Sequence, residues 1–206
     1  MQATNARPTT SSPGASPALN IVAFLASYAF AMALFFRAPI LSGFDLGFGD
    51  RGDSIIEISL LEHWRNVLVH GSTWNLPAYF HPYGDTLGYN DGYFLYGLVY
   101  SFWRQFADPF HADTLNIFTF KTIGFAGTYA LVARSLGWEK PIAILVAVLF
   151  TVASGLALRA GNAQLNSIGL LPIAAMLAIG MIGAERAGRH GRAAALGAAV
   201  LGRGRS

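Results

Sequence analysis

The chain contains no cysteine, which excludes disulfides, thiolate metal sites and a cysteine nucleophile and leaves the redox compartment unreadable. Charge is scarce as well. Asp, Glu, Lys and Arg make up 12% of the residues, against roughly 25% in an ordinary soluble domain. There is no Walker loop, no dinucleotide-binding glycine pattern and no Gly-x-Ser-x-Gly elbow, so chemistry on soluble nucleotides has no support. No His-x-x-x-His pair or carboxylate triad of ligand spacing occurs. That speaks against a structural metal, leaves room for a labile divalent cation, and implies no other cofactor. An internal repeat of the kind transporters carry is also missing.

Apolar residues fill the gap, at 53% of the chain, and they are bunched. Leu19 to Phe36, Leu115 to Ala133, Pro141 to Leu158 and Ile168 to Ala184 are each close to the roughly 17 to 25 residues a helix needs to cross the bilayer. The reading is an all-α membrane protein with four transmembrane helices over 19–36, 115–133, 141–158 and 168–184. The Ser, Thr, Pro and Ala of residues 1–18 have the composition of a disordered tail. Arg7 is the only basic residue upstream of the first run, so that run reads as an uncleaved helix, not a signal peptide.

Arginine placement orients the helices. Between Ile40 and Ala112 the only basic residues are Arg51, Arg65 and Arg104, whereas Arg134 and Lys140 flank a short turn and five arginines crowd the tail 185–206. By the positive-inside rule the loop 40–112 is outside, and both termini are cytoplasmic. The net charge of +3 therefore reflects a membrane tail, not nucleic-acid binding. Tyr93 to Phe106 rises only ~21 Å as a helix and reads as an aromatic juxtamembrane segment. A second loop helix is expected where Ile56, Leu60, Leu61, Trp64, Val67 and Leu68 share a face, opened by a Ser54/Glu57 capping box with Asp53 just before it and closed by Gly71.

Acids gathered beside a membrane are a site hypothesis, because an ionised carboxylate next to hydrocarbon costs free energy. Asp53 and Asp50 lie in a glycine-bracketed turn at a helix mouth, where a ligand can approach the backbone closely; an aspartate there also serves simply as a helix-dipole partner. His81, Asp85, Asn90 and Asp91 belong to a Pro, Gly and Asn-rich loop that is either a plain turn or a set of convergent ionisable groups. Asn162 and Gln164, beside Arg159 and Asn166, form a polar collar suited to a sugar or a phosphate. Lys121 lies two turns into the second crossing, where it snorkels, pairs with a carboxylate or meets a lipid phosphate. Arg104 or Arg51 is a further candidate for contact with a phosphate.

The order Gly52-Asp53 after the first crossing, Trp64, Phe80-His81-Pro82-Tyr83 with Thr86-Leu87, Asn90-Asp91-Gly92, and Gly161-Asn162-Ala163-Gln164 with Leu171-Pro172 resembles the GT-C superfamily of polytopic membrane glycosyltransferases. The resemblance covers roughly residues 19–184 and rests on short, degenerate motifs. It implies an outer-loop aspartate, Asp53 here, acting as general base on an acceptor hydroxyl while a polyprenyl phosphate leaves the donor sugar. It further implies a lipid-linked sugar donor and a carbohydrate, lipid or protein acceptor, in a bacterial inner membrane. The sequence departs from the family in offering Asn162 and Gln164, and no carboxylate, after the third crossing. It also stops well short of the family's usual length, as an N-terminal fragment would. The alternative is a noncatalytic membrane subunit or carrier that binds a lipid-linked carbohydrate.

Overall fold

A computed structural model describes residues 16–49, 52–77, 81–89, 92–153 and 163–186. Among these every regular element is helical, in keeping with the apolar periodicity and with the expected all-α class.

Helix α1 (Pro17–Phe35) starts on Ser16, whose hydroxyl accepts the Leu19 amide, with proline in the first turn where its missing N–H costs nothing. A short α2 (Arg37–Leu41) follows, closed by Gly43 and Phe44 at positive φ. Helix α3 (Asp53–His70) ends on Gly71 in the left-handed conformation, as expected from sequence. After a 3-10 turn (Thr86–Tyr89) come α4 (Phe94–Trp103) and α5 (Pro109–Ala130). Asp108 caps α5 by accepting the amides of Phe110 and His111, and a π-helical turn (Leu131–Ser135) extends it. The chain turns at Gly137 into α6 (Lys140–Val152), then resumes with α7 (Ala163–Asn166), a 3-10 turn (Ser167–Leu170) and α8 (Leu171–Arg186).

Helix α5 is the hub, packing on α4, α6 and the 167–170 turn and also meeting α1, α3 and α8. Small residues permit the close crossings. Ala31 of α1 and Ala147 of α6 are fully buried with Phe125 of α5. A Cβ on Gly169 would lie 2.5 Å from the Phe120 carbonyl oxygen, and one on Gly97 would lie 2.5 Å from Cβ of Trp64. Polar ties cross the same seams: Tyr28 Oη and Thr122 Oγ1 are 2.8 Å apart, and Trp103 Nε1 donates to Thr119 Oγ1 at 2.9 Å.

Two stretches, Pro17–Phe35 and Ser167–Ala184, are long and apolar enough to cross a membrane. Most of their side chains face outward, including Leu19, Ile21, Val22, Leu25 and Phe30 on α1 and Leu171, Ile179 and Ile182 on α8. A soluble monomer seldom exposes apolar surface on that scale. The other two expected crossings do not meet the same test. Helix α5 is about 33 Å long, but Asp113, Asn116 and Lys121 hold its hydropathy down, and α6 is described over 13 residues.

Three local expectations are corrected. Ser54 and Glu57 form no capping box: Gly52 is the N-cap and makes no side-chain hydrogen bond, Asp53 is the first helical residue, and both Ser54 and Glu57 are buried. The buried face of α3 is turned toward Ser54, Glu57 and His63, leaving Leu68 half-exposed, because α4 and α5 cover it there. Likewise Tyr96 and Tyr100 of α4 are core residues, not headgroup anchors, while Phe94 and Phe102 remain outside.

Candidate functional site

Polar residues converge where the starts of α3 and α5 meet α4. Asp53 and Glu57 are one turn apart on α3 and so share a face, Asp53 exposed and Glu57 buried. Helix α4 contributes Tyr96, whose ring stacks on Phe120 of α5 with centroids 4.0 Å apart and planes 3° from parallel. Helix α5 contributes Asp113 and Asn116, three residues apart on its inward face and both buried, Asn116 completely. Burial, then the neighbouring carboxylates of Glu57 and Asp113, push the Tyr96 hydroxyl above the ordinary phenol range. Burial alone pushes the Asp113 carboxyl up to about 7.

Three of these residues, Tyr96, Asp113 and Asn116, have buried polar atoms poorly supplied with partners. Tyr96 Oη, Asp113 Oδ1 and both amide atoms of Asn116 accept or donate no hydrogen bond among the described residues. Buried polar atoms are ordinarily paired, and leaving one unpaired costs about 1–3 kcal/mol. Such atoms together on two packed helices are an expensive feature of the kind found at sites that take up a polar ligand or move protons. Asp113, whose carboxyl is raised to about 7 and lies near Tyr96, can both donate and accept a proton close to neutrality.

The other sequence candidates are dispersed. Lys121 is buried with Nζ 4.4 Å from the Phe35 ring centroid, a cation–π contact, and it pairs with no carboxylate among the described residues. Arg104 is engaged as a strut: Nε donates to Glu62 Oε1 at 2.5 Å and Nη1 to the Ala107 carbonyl at 2.8 Å, and Glu62 raises its pKa. Tyr100 donates to the same Glu62 oxygen at 2.7 Å. His81 is exposed, and Asp85 lines a cavity with Trp74 and Asn75 to which Asp53 does not contribute. Gln164 falls on α7. Asp50, Asn90, Asp91 and Asn162, with Arg51, Arg159 and the basic tail beyond Arg186, lie outside the described residues.

Sequence reasoning missed Tyr96, Asp113 and Asn116 and read Glu57 as a cap. The signal was present in Asp113, Asn116 and Lys121, a polar stripe repeating along one face of an otherwise apolar segment. Among the described residues no three His, Asp or Glu side chains gather into a metal-binding group. Comparison with protein-family models, curated proteins and solved structures yields no match.

Proposed function

We propose that this chain is a membrane glycosyltransferase, or part of one, that moves a hexosyl or pentosyl unit from a polyprenyl-phosphate donor to an acceptor on the outer face of a bacterial inner membrane. In this reading four helices cross the bilayer, both termini are cytoplasmic, and α3 and α4 lie in the outer loop. Asp53 removes the acceptor hydroxyl proton, with Asp50 positioning the acceptor. The acceptor oxygen bonds to the anomeric carbon, and the sugar–phosphate bond breaks with its electron pair leaving on the polyprenyl phosphate. The observation that carries the reading is the buried cluster of Tyr96, Asp113 and Asn116, with Glu57, one turn on from Asp53 along α3, beside Tyr96. It supplies hydrogen-bonding groups for a polar ligand and an acid that titrates near neutrality, where general acid–base groups work best.

The test uses membranes carrying the protein and a radiolabelled polyprenyl-phosphate sugar. Asp53→Asn is expected to abolish labelled product while leaving membrane insertion intact. Transfer retained by the variant removes Asp53 from the mechanism. Saturable binding with no product from the unaltered protein supports the noncatalytic carrier instead.

A further inference from the structure

A cavity with a mainly apolar lining and two polar side chains lies in the loop that joins α3 to α4, and none of the cluster residues near Asp53 lines it. It has a volume of about 530 Å³ and is lined by Trp74, Asn75, Asp85, Leu87, Gly88 and Gly92, within the roughly 300–1,000 Å³ usual for a small-molecule cleft. Its wall is held from behind. Buried His63 of α3 bonds through Nε2 to the Trp74 carbonyl at 2.8 Å, Trp64 Nε1 donates to the Gly92 carbonyl, and buried Leu87 anchors the 3-10 turn.

Against this fixed backbone the Trp74 side chain is 60% exposed, unusual for the bulkiest apolar side chain in a supported turn. Asp85 sits at φ +58 and accepts a hydrogen bond from Asn75 Nδ2. A carboxylate offers about four lone-pair sites and an amide has its own carbonyl acceptor and second N–H, so the pair retains capacity for a ligand. A Cβ on Gly88 or Gly92 would meet nothing within 4 Å; these glycines leave the cleft open and are not themselves demanded by packing.

The geometry points to this cleft as a saccharide-binding subsite, with a pyranose ring lying against Trp74 and its hydroxyls shared between Asp85 and Asn75. An indole face is electronegative and its edge electropositive, so it favours the weakly positive C–H face of a sugar ring. The carboxylate accepts from two vicinal hydroxyls, and the amide accepts from one hydroxyl and donates to another. The charge of Asp85 disfavours phosphates and carboxylates, which selects a neutral sugar over the anionic donor headgroup. The inference rests on the proposed transfer only in assigning this sugar to a unit of the acceptor remote from the hydroxyl that Asp53 deprotonates; the binding itself stands on the cleft.

The experiment is a titration of the full chain, purified in a zwitterionic detergent without a sugar headgroup, with methyl α-D-mannopyranoside, methyl α-D-glucopyranoside and methyl β-D-galactopyranoside, followed by saturation-transfer NMR. At least one glycoside is expected to bind saturably. Trp74→Ala and Gly88→Leu, the second filling the cleft, are expected to weaken it at least tenfold, and Trp74→Phe by about threefold or less. Thermal midpoints of the variants check folding, and Asp85→Asn replaces any variant that fails this check, with weakened binding expected. Binding is read here without turnover, so this inference and the transfer reading fail separately. The proposal is overturned if no glycoside binds saturably, or if the Trp74 and Gly88 variants bind like the parent. It is equally overturned if brominated-lipid vesicles quench the parent more than Trp74→Phe, because the indole would then lie in the bilayer.

Discussion

Replacing Asp113 with asparagine should change how stability depends on pH. Burial raises the folded-state pKa of Asp113 from an ordinary 3.8 to about 7. A raised folded pKa means that the native state binds a proton more tightly than the unfolded chain does. The resulting stability is complete below about pH 4 and is lost as pH rises to about 7, because the unfolded chain gives up its proton first. The difference of about 3 pKa units, at 1.36 kcal/mol each, amounts to roughly 4 kcal/mol across that window. The asparagine side chain does not titrate and has nearly the same shape.

The assay is thermal unfolding in detergent at intervals from pH 4 to pH 8, followed by tryptophan fluorescence. Glu57, the histidines and the exposed acids are common to both proteins, so the difference between the two curves isolates residue 113. The parent midpoint is expected to fall relative to that of Asp113→Asn as pH rises, with the gap reaching its full size near pH 7 and changing little beyond. On the usual scaling for a chain of this size, 1 kcal/mol corresponds to roughly 2–4 °C, so the expected divergence is on the order of 10 °C. Parallel curves would show that Asp113 ionises at an ordinary pH, and with that the proton-transfer role of the cluster would fall.

Two further changes probe what holds the cluster. Gly97→Ala places a methyl group 2.5 Å from Trp64 Cβ and 2.7 Å from its Cγ, so α4 must back away from α3; a loss of about 1–3 kcal/mol, typical of overpacking, is expected in the same unfolding assay. Asp108→Ala removes the cap of α5, where the carboxylate accepts two backbone amides and contacts the His111 ring; a loss of about 1 kcal/mol is expected near pH 7. Because the His111 and Phe110 bonds depress the Asp108 pKa, the cap's contribution is present above about pH 4 and fades at lower pH, opposite in sign to that of Asp113.

The parts of the fold legible in the sequence are those governed by local rules. The apolar run from Leu19 to Phe36 matches helix α1, which spans Pro17–Phe35; the stop at Gly71 and the short helix after Tyr93 also fall where turn chemistry and apolar run length place them. Hydropathy starts α5 too late, at Leu115, because it outweighs the Asp108-Pro109 pair, which is itself a strong N-terminal signal. What local rules could not supply was the rotation of each helix. Ile56, Leu60, Leu61, Trp64, Val67 and Leu68 do share a face, yet the face that α3 buries also takes in Glu57 and His63, a choice made by α4 and α5.

The same limit separates the two halves of the candidate site. Asp53 could be picked out because a glycine-bracketed acid at a helix mouth is a pattern within a few residues. Tyr96, Asp113 and Asn116 come from segments that are distant from it in the chain, and their significance arises only when three helices bury them together. A polar residue in an apolar helix is cheap if it reaches water and costly if it does not, so Asp113 and Asn116 carry opposite meanings in two rotations of one helix. The packing of Phe120 against Tyr96 fixes the rotation that buries them. A helix selected for stability alone would favour apolar residues at those two positions, as it does at Ile117 and Phe120. That contrast within one helical face is what marks Asp113 and Asn116 as candidates for a role beyond packing.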